Sequence, residues 1–326
     1  MDNETTPQAA VATPASAAPK KNLVLPVLLI ILVVGALCAA LTWGLGLWQS
    51  PLPSYAPKDA DLIVYTNGKK WSAHPIVQEF KKLPMYAQAQ KEFEATLKKN
   101  ESKLTVDDLN QCEGCLFVNT KTVSAAPQKS VQGIVRFEKP LITDVFALIA
   151  KEAKSFKPTK LNGKPALVDK DTFLLALNDR IGQISGTDAE LKSGNSSALV
   201  KAVNTDALIS IAYQVDKLPA EALAQTPEEY RKLAEQIRFV AINLLDAGKD
   251  LKVTLVVTFQ DEKSAKDTQE QLSAVIALAK KSDSVPPETR EIIEKKVQVK
   301  LNGTKVTVSA AYPVDKIIAA MKEILK

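Results

Sequence analysis

Val297-Gln-Val-Lys-Leu-Asn-Gly-Thr-Lys-Val-Thr-Val308 alternates apolar and polar residues on both sides of Asn302-Gly303. Successive side chains of a strand point to opposite faces, so each arm has one apolar side. Asn-Gly tolerates the positive φ that a two-residue hairpin turn requires. The stretch reads as a β-hairpin. Its turn has an echo in Leu161-Asn-Gly-Lys164, inside a second expected strand pair over Lys160–Val168.

The elements around these hairpins fall in a recurring order. In the first half, Asp61–Thr66 reads as a strand. A helical stretch follows, with Ile76, Val77, Phe80 and Leu83 on one face; Pro84 interrupts it, and Phe93 and Leu97 carry it on to Asn100. Strands are expected at Leu116–Thr120 and Val131–Glu138, a helix at Leu141–Lys154, and a further hairpin at Phe173–Leu177 and Ile181–Ser185. In the second half, Ala207–Val215 reads as a strand. Thr226-Pro-Glu-Glu229 has the form of a capping box with proline at the first helical position. The helix it opens is expected to run to Gly248. Leu251–Phe259 reads as a strand, Ser264–Lys280 as a helix and Val314–Leu325 as a closing helix. These patterns give an α+β fold of mostly antiparallel sheets packed with helices. Its two halves, 59–200 and 201–326, are expected to be a tandem duplication.

The front of the chain differs. Residues 1–21 are rich in Ala, Pro and Thr without apolar periodicity, and read as a disordered tail. Leu23–Trp48 contains no charged side chain. About 20 apolar residues suffice to cross a bilayer as a helix, so 22–49 reads as one transmembrane helix. The run is too long for a signal-peptide core, and Leu37 before Cys38 is unsuited to a lipoprotein. Lys20 and Lys21 abut the span, and the far flank carries no charge until Lys58. The positive-inside rule then places the tail in the cytoplasm and the C-terminal domain outside the inner membrane. Pro51, Pro53 and Pro57 make 50–58 a stiff spacer.

The chain has 326 residues, a formal net charge of +5, 46% apolar and 24% charged residues. Its arginines are Arg136, Arg180, Arg231, Arg238 and Arg290, scattered rather than clustered. Nucleic-acid sites favour clustered arginine, so no nucleic-acid partner is expected. His74 is the single histidine, and Cys38, Cys112 and Cys115 are the cysteines. That set cannot supply a standard zinc site or offer a choice of triad bases, and no cofactor motif is present. Neither cofactor nor metal is expected. His74 reads as a surface histidine near a helix start. Asp107 and Asp108, like Glu228 and Glu229, read as helix-capping carboxylates. Asn195-Ser-Ser197 and Asn302-Gly-Thr304 match the glycosylation sequon by a triplet that also arises by chance.

Cys112-Glu-Gly-Cys115 is the one short motif that bears on chemistry. A redox Cys-x-x-Cys opens a helix whose dipole lowers the thiol pKa. Here Leu116-Phe-Val118 follows, which reads as a strand. A structural disulfide between Cys112 and Cys115 is therefore expected, with a thiol–disulfide oxidoreductase, or unpaired or metal-binding cysteines, as the alternatives.

The tail and span up to Trp48, the opening Lys58-Asp-Ala-Asp-Leu-Ile-Val64 and the passage Leu104-Thr-Val-Asp-Asp-Leu109 resemble those of uncharacterised bacterial single-span envelope proteins with an α/β ectodomain. The resemblance implies an envelope location and no known activity. The function expected is that of a membrane-anchored binding or scaffolding protein, partnered by the membrane through 22–49 and by another envelope protein or an apolar ligand. An anchored enzyme is the alternative.

Overall fold

The computed structural model describes residues 52–122, 127–217, 228–282 and 287–324. The tail expected at 1–21 and the span expected at 22–49 lie outside these residues, as does Thr226-Pro227 of the expected capping box. Among the described residues no helix is long and apolar enough to cross a membrane.

The strands are β1 Leu62–Asn67, β2 Glu113–Val118, β3 Val131–Arg136, β4 Lys157–Leu161, β5 Lys164–Asp169, β6 Thr172–Ala176, β7 Ile181–Ser185, β8 Ile209–Gln214, β9 Ile237–Ala247, β10 Asp250–Phe259, β11 Gln298–Asn302 and β12 Lys305–Pro313. They form a 12-stranded sheet in the order β11-β12-β10-β9-β8-β1-β2-β3-β7-β6-β5-β4. Every pairing described in it is antiparallel. The expected halves meet at the β1–β8 pair, and the ladder of hydrogen bonds crosses that boundary without a break.

Reading outward from β1–β8, the order is the same in both directions. β1, β2 and β3 mirror β8, β9 and β10, and each outer end is an Asn-Gly hairpin, β4–β5 on one side and β11–β12 on the other. The β6–β7 hairpin is the extra element, inserted between β5 and β3. Asn162 and Gly163 both take positive φ, 50° and 78°, as a primed turn demands.

One expectation fails here. The helix expected to reach Gly248 ends at Gln236, and Ile237–Ala247 is the long strand β9. Phe239, Ala241 and Asn243 are buried on one face, a period of two that the helical reading passed over. Pairing with β8 and β10 outweighs the local helix propensity of Ala and Leu. Gly248, at φ 74°, closes the β9–β10 turn instead of capping a helix. The correction improves the match between the halves, because β9 supplies the counterpart of β2. A helix at Pro287–Lys296 was also unexpected.

Elsewhere local chemistry sets the boundaries. Pro75 and Pro84 each open a helix, over Pro75–Phe80 and Pro84–Lys99. Thr105 and Asp108 form a capping box on Val106–Leu109, as the acidic pair there suggested, and Lys139 adds an ion pair to Asp108. Asp261 accepts from the Ser264 amide at 2.8 Å to start Glu262–Lys281. Lys322 of the closing helix Val314–Ile324 reaches Glu79 at 2.8 Å, tying the C-terminal helix to Pro75–Phe80.

Directly paired residues share a face, so register sorts the side chains. One face carries Ile63, Tyr65, Cys115, Phe117, Ile134, Ala212, Phe239 and Ala241, and packs with Leu52, Leu191 and Leu199 in one core. The opposite face has two separate cores. Val135, Leu167, Leu174 and Ala176 pack under the helix Ile142–Glu152 at one end of the sheet. Val257, Val299 and Val306 pack with Ala265 and Leu272 of Glu262–Lys281 at the other.

Candidate functional site

The cysteine motif is split by the sheet. Cys115 is inside β2 and packs beside Tyr65 and Phe117 in the first core, whereas Cys112, just before the strand, packs with Leu109 and Phe137 in the core beneath Ile142–Glu152. An odd separation along extended chain sends the two side chains to opposite faces. The expected disulfide is not formed: both residues are buried thiols. Cys112 Sγ lies 3.2 Å from the Leu109 carbonyl, to which it donates. Burial, with the Glu113 carboxylate nearby, pushes the Cys115 thiol well above its ordinary pKa. Both features are the reverse of what activates a thiol nucleophile.

Glu113, between the cysteines, faces Arg136 in register and is ion-paired with it. Tyr65 Oη lies 3.2 Å from Glu113 Oε1 and 3.3 Å from the Thr205 carbonyl, and accepts from Asn67 Nδ2 at 3.3 Å. Burial and the Glu113 charge raise the Tyr65 pKa far above its usual value. This cluster fastens β1, β2 and β3 at one end. The Tyr65 hydroxyl and the Glu113 carboxylate are both engaged within it, so it reads as structural. Asp61 is likewise buried and accepts from the Thr120 amide and hydroxyl at 2.9 and 2.7 Å.

His74 is not on the surface: it is buried, its ring 5.9 Å from Trp71. Nδ1 accepts from the Ile76 amide at 3.4 Å, and Nε2 has no hydrogen-bond partner among the described residues. Burial lowers its pKa, and Asp246 opposes that shift in part. Lys69, Lys70 and Lys99 make ion pairs at the surface with Glu138, Asp206 and Glu152. Asn195 is a clamp, its amide donating to Ser54 O at 2.9 Å and its side chain to Ala56 O at 2.8 Å. Beside it, an open cleft of about 790 Å³ separates Tyr55–Lys58 from residues 189–197.

The feature that stands apart is the middle of the second sheet face, between its two cores. Ile184, Gly133, Leu116, Val64, Ile211, Ile242, Leu255, Val308 and Val299 are paired in succession across the sheet. A parallel row runs Val131, Val118, Leu62, Tyr213, Val240, Val257, Val306 and Leu301. A third runs Val135, Gly114, Thr66, Ile209, Leu244, Val253 and Ala310. Away from the two end cores this band is not closed over. Val131, Ile184, Ile242 and Val253 are 41%, 37%, 43% and 43% exposed. At neighbouring strands about 4.8 Å apart, the first row spans on the order of 40 Å. Between the two end cores this leaves a broad apolar surface open to solvent. At Gly133 a Cβ would meet Ile184 Cγ2 at 2.7 Å and Leu116 Cδ2 at 3.2 Å, so these two close over the glycine and keep the band continuous.

The sequence expectations named none of these residues as a site. Half of the signal was present, since Ile211, Leu255 and Val308 alternate in strands that were recognised. Reading 237–247 as helix hid Val240, Ile242 and Leu244, which join the two ends of the band.

No family model matches the chain, and no curated protein matches it. Solved structures similar to it include crystal forms I, III and IV of TP0453, at 11%, 11% and 10% sequence identity. They cover 85%, 84% and 84% of this chain and 99%, 98% and 97% of theirs, with TM-scores of 0.42, 0.43 and 0.44.

Proposed function

We propose that this chain is a single-span inner-membrane protein whose extracytoplasmic domain binds an apolar partner through the band across β1, β8, β9 and β10, without catalysis. The observation that carries the reading is the run of Ile211, Ile242 and Val253 in open aliphatic rows on a sheet whose other face is a packed core. A sheet that binds nothing would cover or polarise such a face. Topology is supported by the charge-free Leu23–Trp48 and by Lys20-Lys21 beside it. The mirrored strand order supports a duplication, which would give a sheet twice as wide as either half alone could build. The thiol-oxidoreductase alternative finds no support in Cys112 and Cys115, which are buried and face different cores.

The test is a photoreactive amino acid placed at position 242 of the full chain in its native envelope, with position 201 on the opposite side of the domain as control. Adducts of defined mass at 242 and none at 201 are expected. Absence of any adduct at 242, and at 253 tried in turn, contradicts the reading.

A further inference from the structure

We infer that the occupant of this band is hydrocarbon, the acyl chains of a lipid taken from the bilayer beside which the domain is held. The inference rests on the binding role proposed above and names the ligand class. Its first ground is the chemistry of the surface. Across the three rows the side chains are aliphatic or absent, with Tyr213 and Thr66 the only polar ones and no charged group. Protein-binding surfaces concentrate their energy in Trp, Tyr and Arg anchors ringed by polar groups that fix orientation. This band offers one such residue, Tyr213, in some 40 Å. Its backbone amides and carbonyls are engaged within the strand ladder, so it gives a ligand little to hydrogen-bond with. A surface of that kind recognises a chain of methylenes, which asks for dry contact and no directional bond.

The second ground is position. Trp48 ends the apolar run and Leu52 is already fully buried in the domain. In the proposed topology the span and the fold are then a few residues apart, which would hold the domain at the membrane surface. Hydrocarbon is the apolar partner most abundant there. The edges also fit: β4 carries Lys157, Pro158 and Lys160, which discourage strand addition by a protein partner at that end.

The experiment uses the full chain reconstituted into vesicles of phosphatidylethanolamine and phosphatidylglycerol doped with a phospholipid bearing a diazirine near its acyl terminus. After irradiation and proteolysis, adducts are expected on the peptides that hold Ile211 and Ile242, in addition to those on 22–49. In the Ile211→Asp, Ile242→Asp variant, a desolvated charge would face hydrocarbon, and the adducts on the domain should fall by about tenfold or more while those on 22–49 persist. A denaturation curve on the same variant shows whether the domain is still folded. If it is not, Ile242→Ser alone serves in its place. Labelling confined to 22–49 in the wild-type chain overturns the inference. If lipid adducts are confined in this way while the photoreactive residue at 242 traps a protein in the envelope, the hydrocarbon assignment falls and the binding role stands.

Discussion

Glu113 on β2 lies directly opposite Arg136 on β3, ion-paired with side chains only 4% and 13% exposed. Two charges so withdrawn from water each depend on the other. Removing one leaves the second without compensation, which costs about 3–5 kcal/mol, whereas replacing both with apolar residues is often close to neutral. Arg136→Met should therefore destabilise the domain by about 3 kcal/mol or more, and Glu113→Leu in the same chain should recover most of it. Urea denaturation of the single and double variants provides the cycle. A loss below about 1 kcal/mol for Arg136→Met would mean that the pair is solvated in solution, as surface pairs are.

The thiols give a second prediction. Cys112 and Cys115 point into different cores, so they should remain reduced and should react with a thiol reagent only when the domain unfolds. Adding reductant should leave stability unchanged. Cys115→Ser places a hydroxyl among Tyr65, Phe117 and Ile134. A buried hydroxyl without a partner costs about 1–3 kcal/mol. An intact mass showing the loss of two hydrogens between Cys112 and Cys115, reversed by reductant, would restore the disulfide.

His74 sets a pH dependence whose sign follows from its burial. Its folded pKa is lowered, so the folded state disfavours the charged ring and the unfolded state takes up the proton first. Stability contributed by neutral His74 is then present above the unfolded pKa of about 6.5 and is lost as pH falls below it. Protonation at Nδ1 would also remove the acceptor for the Ile76 amide that starts Pro75–Phe80. Comparing urea midpoints at pH 7.5 and 5.5, the wild-type chain should lose stability, and His74→Asn, which keeps a capping acceptor, should lose less. Equal losses would show that the histidine is hydrated in both states.

Much of this architecture is legible in the chain because its signals are local. Asn162-Gly163 and Asn302-Gly303 fix two hairpins, Pro75 and Pro84 fix two helix starts, and Thr105 with Asp108 fixes a cap. The parts that were not legible are decided by distant pairing. Ile237–Ala247 has residues that suit a helix as well as a strand, and β8 and β10 decide between them. His74 carries no mark of burial in its own neighbours, because Trp71 and the environment of Asp246 close around it only in the folded chain. The cysteine spacing permits a turn, and only the start of β2 at Glu113 reveals that the two sulfurs diverge. The apolar band is illegible for the same reason: no single strand contains it, and register alone lines up Val64, Ile211 and Ile242.

The central claim is that Ile242 and its neighbours are covered by a ligand in the membrane and open without one. The direct measurement is the rate at which a maleimide labels Ile242→Cys in a chain lacking Cys38, first in intact native membranes and then after purification and delipidation. The account predicts slow labelling in the membrane and labelling about tenfold or more faster after removal of the occupant, with an exposed control at Lys201→Cys unchanged. Equal rates in the two states, matching the control, would contradict it.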